Sequence, residues 1–426
     1  MAEHKGFTRR GFLKATGAAA ALAAAPKIYV PPLINRRRQN TVVLKIQSFA
    51  HEAIQAVLPE FESATGLTVA LEPGLSSGVE HLTEVTTAYA AGDSPWDVVS
   101  DSDESCPVLA RAGWLTPLDD IIPQETWDDF PQGMKDALPI WHGFDGAMYR
   151  VPHEFACGYV FYRKDLFDER GLEPPKTWEE MIEIGMQLSD PANGVYATTD
   201  ALSKGGLLYV YLAYLTSQTH GQVFDFDDGT AMALHLLYNM LYSFKIFDPA
   251  ALNQNYDQQN ENYMNDRVMF MRQWPFFQSV AEGNTAWYAP EKVVITLPPA
   301  GPAGAGSWWG GWGFTVPTYA PNPDGAKELI KFLTSNEIAP RLAEGQSWFI
   351  MPRASILAAF EGKGNPIVEA MGMYADAGVI KPRPFHPRVA EAQTVVDDVA
   401  SLYLSKQDTL ANILKAGRER IAELGA

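Results

Sequence analysis

Three carboxylates sit together in one short segment. Asp101 closes the strand-like run WDVVSD, and Asp103 and Glu104 follow it. Such a loop suits three uses: accepting hydrogen bonds from the hydroxyls around a sugar rim, holding an amine, or serving the first turn of a helix that starts near Cys106 and Pro107, where negative charge is favoured. The residues alone leave all three open. A second group is the glycine-rich run GPAGAGSWWGGWGFTVP, which carries Trp308, Trp309 and Trp312. Flat indole faces stack on the C–H faces of a pyranose, and glycines between them let backbone and ligand approach closely. In a strand, Trp308 and Trp312 point one way and Trp309 the other. Core packing is the competing use of the same side chains. A third pattern, Gly74-Leu75-Ser76-Ser77-Gly78, matches the G-x-S-x-G nucleophile elbow of serine hydrolases. Pro73 in the turn and the lack of a preceding oxyanion-type glycine run argue against it, so a hydrolase using Ser76 is the lesser alternative. No H-E-x-x-H, P-loop or C-x-x-C pattern occurs, and the eight histidines show no close ligand pairing. Neither a metal nor a cofactor is expected.

The composition bounds what must position these groups. The chain has 426 residues, 46% of them hydrophobic and 20% charged, which supports two globular cores. Its 33 Lys and Arg against 51 Asp and Glu give a net charge of −18. An acidic chain repels phosphate backbones, and the longest basic run is Arg36-Arg37-Arg38, so no nucleic-acid partner is expected. No apolar run reaches the roughly 18 to 20 residues of a membrane span.

The N-terminus reads as an export address. Thr8-Arg9-Arg10-Gly11-Phe12-Leu13-Lys14 precedes an alanine-rich stretch, and this order resembles a twin-arginine signal, which implies export of a folded protein. Cleavage after Ala23 is expected, since Pro26 disfavours a later cut. Residues 1–23 then form the signal peptide and residues 24–40 a proline- and arginine-containing tether. No cysteine follows the apolar region, so a free periplasmic protein without a lipid anchor is expected. Cys106 and Cys157 either pair in that oxidising compartment or stay as two buried thiols.

From Thr41 the chain alternates strand-like and amphipathic helical runs in a β-α-β-α-β order, which predicts an α/β sheet with ligands at the strands' carboxyl ends. A second block follows GYVFYRKDLF. There Thr177 with Glu180 predicts a capping box at the start of WEEMIEIGMQL. Helices are expected over 206–217, 230–244 and 324–335, with one long amphipathic pattern over 390–424.

Four stretches carry a family resemblance. Val151-Pro152 through GYVFYRKDLF to GLEPPKTWEEM, the run WDVVSDSDESCPVLARAGWLTPLDD, the run GGWGFTVPTYAPNPDGAKELIKFLTSNE, and VMFMRQW occur in the order found in the extracellular solute-binding proteins of ABC importers. Within that family they resemble the carbohydrate-binding, maltose-binding-protein-like group. One departure is Arg272-Gln273, where the family usually has Gly-Pro or Gly-Ser. The resemblance implies a two-lobed periplasmic binding protein fold, each lobe a mixed sheet flanked by helices, with a ligand cleft between lobes that close by hinge motion. It implies lobes of 41–153 plus 307–345 and of 159–300 plus 351–426, crossed near 153–158, 301–306 and 345–351. The cleft residues it implies are Ser48, Phe49, His51, Asp101, Asp103, Glu104, Glu154, Phe155, Trp274, Trp308, Trp309, Trp312 and Arg353, with His386 and Arg388 before the last long helix. It further implies binding without turnover. The expected ligand is a sugar or oligosaccharide, with a polyol or polyamine as alternative, handed by a monomeric receptor to an ABC permease.

Overall fold

The computed structural model describes residues 40–75 and 78–425. The expected signal peptide, all of the tether except Asn40, and Ser76 lie outside the described residues.

The first block folds as its periodicity predicts. Strands β1 (Thr41–Gln47), β2 (Thr68–Gly74) and β3 (Val98–Ser102) are parallel, and helices His51–Thr65 and Gly78–Ala90 make the crossovers. Central β1 buries Val42, Leu44 and Ile46 completely on one face and Lys45 and Gln47 on the other, as expected of a strand covered on both faces. The chain then passes through β4 (Val151–Pro152) and β5 (Ala156–Cys157) into β6 (Tyr159–Tyr162), followed by β7 (Tyr196–Thr199), β8 (Val268–Gln273) and β9 (Val294–Thr296). It returns through β10 (Ser307–Gly310) and β11 (Trp312–Thr315), and ends its strand content with β12 (Ile380–Lys381).

Two lobes result. The N-terminal sheet has the order β2-β1-β3-β11-β4 and the C-terminal sheet the order β9-β6-β8-β7. A small third sheet, β12-β10-β5, stitches the crossing segments together. Helices Leu207–Thr216, Asp228–Tyr242 and Val389–Leu404 close the C-terminal lobe around Tyr209, Leu212, Leu237 and Val396. Among the described residues no helix is long and apolar enough to cross a membrane.

The lobe boundaries differ from expectation at two crossings. The second crossing is not at 301–306. Those residues still pack on the C-terminal lobe, where Ala303 N donates to Gln218 O at 3.0 Å, and the turnover comes at Gly311 between β10 and β11. A Cβ on Gly311 would lie 2.4 Å from the Glu154 carbonyl oxygen, so only glycine lets the two crossing strands touch there. The third boundary is not at 351 either. Arg353 and Ser355 bind Asp129 of the N-terminal lobe, and the chain joins the other lobe only in helix Pro366–Asp376, where Tyr374 Oη accepts from Val160 N at 3.0 Å. Proline-flanked loops and short helices carry no periodicity that marks such a handover.

Two local signals have informative outcomes. Thr177 Oγ1 accepts from Glu180 N at 3.2 Å as expected, but the reciprocal arm lands one residue earlier, with Glu180 Oε2 accepting from Lys176 N at 2.7 Å. The C-terminal pattern is two helices rather than one, Val389–Leu404 and Leu410–Leu424, broken where Lys406 adopts φ +61° and Thr409 caps the second. Cys106 and Cys157 are both free and buried, and burial pushes each thiol up to about 12. The folded protein is therefore expected to give no reaction with a thiol reagent at neutral pH, and two equivalents after unfolding. A native protein that releases no thiol even when unfolded would show a disulfide instead.

Candidate functional site

Between the lobes lies a cleft of about 950 Å3, counting its open mouth. That is the size range of small-molecule sites. The N-terminal lobe contributes strand ends and crossings: Gln47 at the end of β1 and Phe49 beyond it, Ser102 at the end of β3 and Asp103 to Ser105 beyond it, Glu154 between β4 and β5, and Trp312 at the start of β11. The C-terminal lobe contributes Gly205 to Leu207 at a helix start, Tyr256, Trp274 just after β8, Trp308 on β10, Arg383 and Gln393.

The aromatic wall comes from both lobes. Trp308 is buried on the C-terminal side, with the Trp274 ring edge-on to it at 5.4 Å and 72°. Trp274 is held in place by its own indole, whose Nε1 donates to Tyr256 Oη at 2.9 Å, and by the Arg272 guanidinium 5.1 Å from its ring centre. Trp312 stands on the N-terminal side, edge-on to His81 at 5.5 Å and near Trp348 at 6.2 Å. Because the strand breaks at Gly311, Trp308 and Trp312 do not share one strand face as expected. They line the cleft from opposite lobes. Trp309 instead stacks on Phe155 at 5.1 Å and 28°, and neither is in the cleft wall.

Arg272-Gln273, the departure from the family pattern, builds the support behind Trp274. Arg272 is buried and grips Asp200 with two bonds, from Nε at 2.8 Å and from Nη2 at 3.0 Å. Gly158 faces it so closely that a Cβ there would lie 2.9 Å from the Arg272 side chain. Gln273 reaches Asn260 at 2.8 Å and accepts from Trp274 N at 2.9 Å, fixing the turn that presents the ring.

The acidic loop divides its work. Asp101 is not in the cleft wall: it is buried, bound to His81 Nε2 at 2.8 Å and to Thr315 Oγ1. Asp103 and Glu104 do line the cleft, and neither side chain caps the helix Ser105–Arg111. Both instead take the guanidinium of Arg383, while Gln393 Nε2 donates to Glu104 at 2.8 Å and Gly311 N to Asp103 at 3.2 Å. Glu154 lies beside them, accepting from Trp312 N at 3.1 Å. Burial, with the negative charge of Asp103 added, holds its carboxyl well above the usual carboxylate range. Burial also pulls Arg383 below its ordinary value, against the attraction of Asp103.

The remaining expected contacts lie elsewhere. Ser48 is exposed outside the wall, and His51 Nε2 sits 3.0 Å from Ile46 O, closing the turn after β1. Arg353 is buried in the N-terminal lobe, bonded to Asp129 at 2.8 Å and to Thr334 O at 2.7 Å, so its role there is packing. His386 Nδ1 accepts from Arg388 N at 3.0 Å, and Arg388 pairs with Glu391 at the surface, away from the cleft. Sequence reasoning missed Arg383, Tyr256, Trp348 and Gln393. Arg383 had one local signal, the flanking prolines of KPRPF that hold it extended three residues before His386.

The site offers hydrogen-bonding and stacking rather than a reactive pair. Ser100 Oγ lies 2.9 Å from His153 Nε2, but both are buried and His153 Nδ1 has no carboxylate partner, so the pair is not two thirds of a triad. Among the described residues no cluster of His, Cys, Asp and Glu is placed to hold a metal ion.

A family profile described as bacterial extracellular solute-binding protein matches residues 50–340. A probable ABC transporter-binding protein of Deinococcus radiodurans is 26% identical over 253 residues, covering 56% of each chain. A maltotriose-binding protein of Pyrococcus abyssi is 24% identical over 394 residues, 88% of this chain and 78% of that one. The mannitol-binding protein of Pseudomonas aeruginosa is 27% identical over 114 residues, so the chain spans about half of the Deinococcus relative and 25% of this one. In fold the chain resembles maltose-bound MalE3 of T. maritima, with a TM-score of 0.79, 22% identity and coverage of 90% of this chain and 99% of that one. A tagatose-bound solute-binding protein of Thermotoga lettingae gives the same TM-score at 19% identity, with the same coverage. With the profile spanning most of both lobes, the chain belongs to the bacterial extracellular solute-binding proteins.

Proposed function

We propose that the protein is an extracytoplasmic receptor that captures a sugar, oligosaccharide or polyol between its lobes and delivers it to an ABC transporter permease. The observation that carries this reading is the cleft itself: indole faces from both lobes stand around hydrogen-bonding groups also drawn from both lobes. A polyhydroxy solute needs that combination, apolar plates for its C–H faces and in-plane acceptors and donors for its hydroxyls. The names of the relatives support it, since maltotriose- and mannitol-binding proteins are among them.

A solute touching Trp312 and Glu154 on one side and Trp274 and Trp308 on the other binds the closed arrangement better than an open one. Differential affinity of that kind is what moves a hinge equilibrium. The twin-arginine-like string at Thr8 to Lys14 supports export of the folded receptor to the periplasm.

A thermal-shift screen of residues 24–426 against mono-, di- and oligosaccharides, polyols and polyamines tests the reading. A solute present at 100 times its dissociation constant stabilises by about 2.7 kcal/mol, and one sugar or polyol class is expected to do so. A panel without any sugar or polyol response contradicts the proposal.

A further inference from the structure

Among the described residues the cleft wall carries three carboxyl groups, Asp103, Glu104 and Glu154, and one guanidinium, Arg383. Arg383 crosses from the C-terminal lobe to reach the first two, which belong to the N-terminal lobe. It is 6% exposed, and two indoles flank it, Trp308 at 4.6 Å and Trp141 at 5.3 Å. Its position is thus fixed by stacking as well as by charge. Glu154 accepts from the Trp312 backbone amide at 3.1 Å, and burial holds its carboxyl above the usual carboxylate range.

The neighbouring positive groups already have partners. Arg272, behind Trp274, is taken by Asp200. The amides at the start of helix Leu207–Thr216 border the cleft, but the Asp397 carboxylate already accepts from Gly205 N at 2.9 Å, Gly206 N at 2.6 Å and Tyr209 N at 2.8 Å. Those amides are therefore not open to an anion.

We propose that Arg383 is the specificity-determining residue of the cleft: by occupying both Asp103 and Glu104 and offsetting one of their two negative charges, it favours uncharged solutes and weakens the hold that the acidic pair would otherwise have on amines. This rests on the receptor reading above and names the charge class of its solute. An amine approaching Asp103 and Glu104 in the wild-type cleft meets the fixed guanidinium between them, and like charges brought together out of water repel strongly. Hydroxyls meet no such penalty. They accept from the guanidinium edge and donate to carboxylate lone pairs that it leaves free.

The test is calorimetric titration of the wild type, Arg383→Gln and Arg383→Lys with spermidine, and with the best neutral solute from the screen. Arg383→Gln is expected to bind spermidine at least about tenfold more tightly than the wild type, because the acidic pair is then uncompensated, whereas Arg383→Lys stays at the wild-type level. A wild type that binds spermidine as tightly as Arg383→Gln, or a folded Arg383→Gln that gains nothing, overturns the proposal. Should Arg383→Gln fail to fold, Asp103→Asn with Glu104→Gln asks the inverse question, since it frees the guanidinium. It is expected to gain affinity for glucuronate by a similar factor, and no gain there overturns the proposal equally. Failure of the receptor reading is read separately, as no neutral solute bound by the wild type.

Discussion

Replacing Arg272 with methionine is expected to lower the unfolding free energy by about 3–5 kcal/mol, the range for removing one partner of a buried ion pair. Arg272 and Asp200 are both buried in the C-terminal lobe and joined by two hydrogen bonds. Burial depresses the guanidinium, but the Asp200 charge and its bonds outweigh that and hold Arg272 above its ordinary value. For Asp200, burial dominates and pushes the carboxyl up to about 6 in spite of Arg272. Its folded value is thus above its unfolded value of about 4, so its contribution to stability is complete below about pH 4 and falls away as pH rises through about 6. Without Arg272 the upper edge of that window moves higher and the fall is larger. Denaturant unfolding at pH 5 and pH 8 checks this: the deficit of Arg272→Met should be smaller at pH 5. Pairing it with Asp200→Leu should recover most of the loss, since no buried charge remains. Equal stability of Arg272→Met and wild type at pH 8 would contradict the account.

Trp312→Ala and Trp274→Ala are each expected to weaken solute binding about tenfold or more, since losing a stacked aromatic face at a desolvated contact is worth roughly 1.4 kcal/mol or above. The two rings belong to different lobes, so the expectation is a loss from either side of the cleft. Both are only partly buried, which limits the cavity each substitution leaves in the core. Trp308→Ala is a poorer probe because Trp308 also supports Arg383 and packs near Tyr209. Trp287, far from the cleft between Arg163 and Lys292, supplies the contrast: its replacement by alanine should lower the melting temperature and leave affinity unchanged. Unchanged affinity in both Trp312→Ala and Trp274→Ala retires the stacking role.

Much of the fold was legible because each element carries its own pattern. The first three strands and two helices come in the expected β-α-β-α-β order, and the Thr177 cap forms as its spacing predicts. The cleft was legible where side chains follow strand ends, as with Asp103, Glu104 and Trp274. It was not legible where the deciding partner is remote. Arg383 meets Asp103 across 280 residues, and nothing near KPRPF announces an acidic partner. Asp101 looks identical to Asp103 in the sequence, but Asp101 is still within β3 and bonded to His81, whereas Asp103 lies just past the strand end and reaches Arg383. Arg353 fits a cleft cation by type, and only the fold reveals Asp129 beside it.

The most direct measurement is a calorimetric titration of the purified receptor with the best solute from the thermal screen, followed by chromatography of the recovered solute. The account predicts saturable binding at one site per chain, with the sugar or polyol returned unchanged. Consumption of the solute would make the cleft an active site. An absence of saturable binding by any sugar or polyol would contradict the receptor assignment itself.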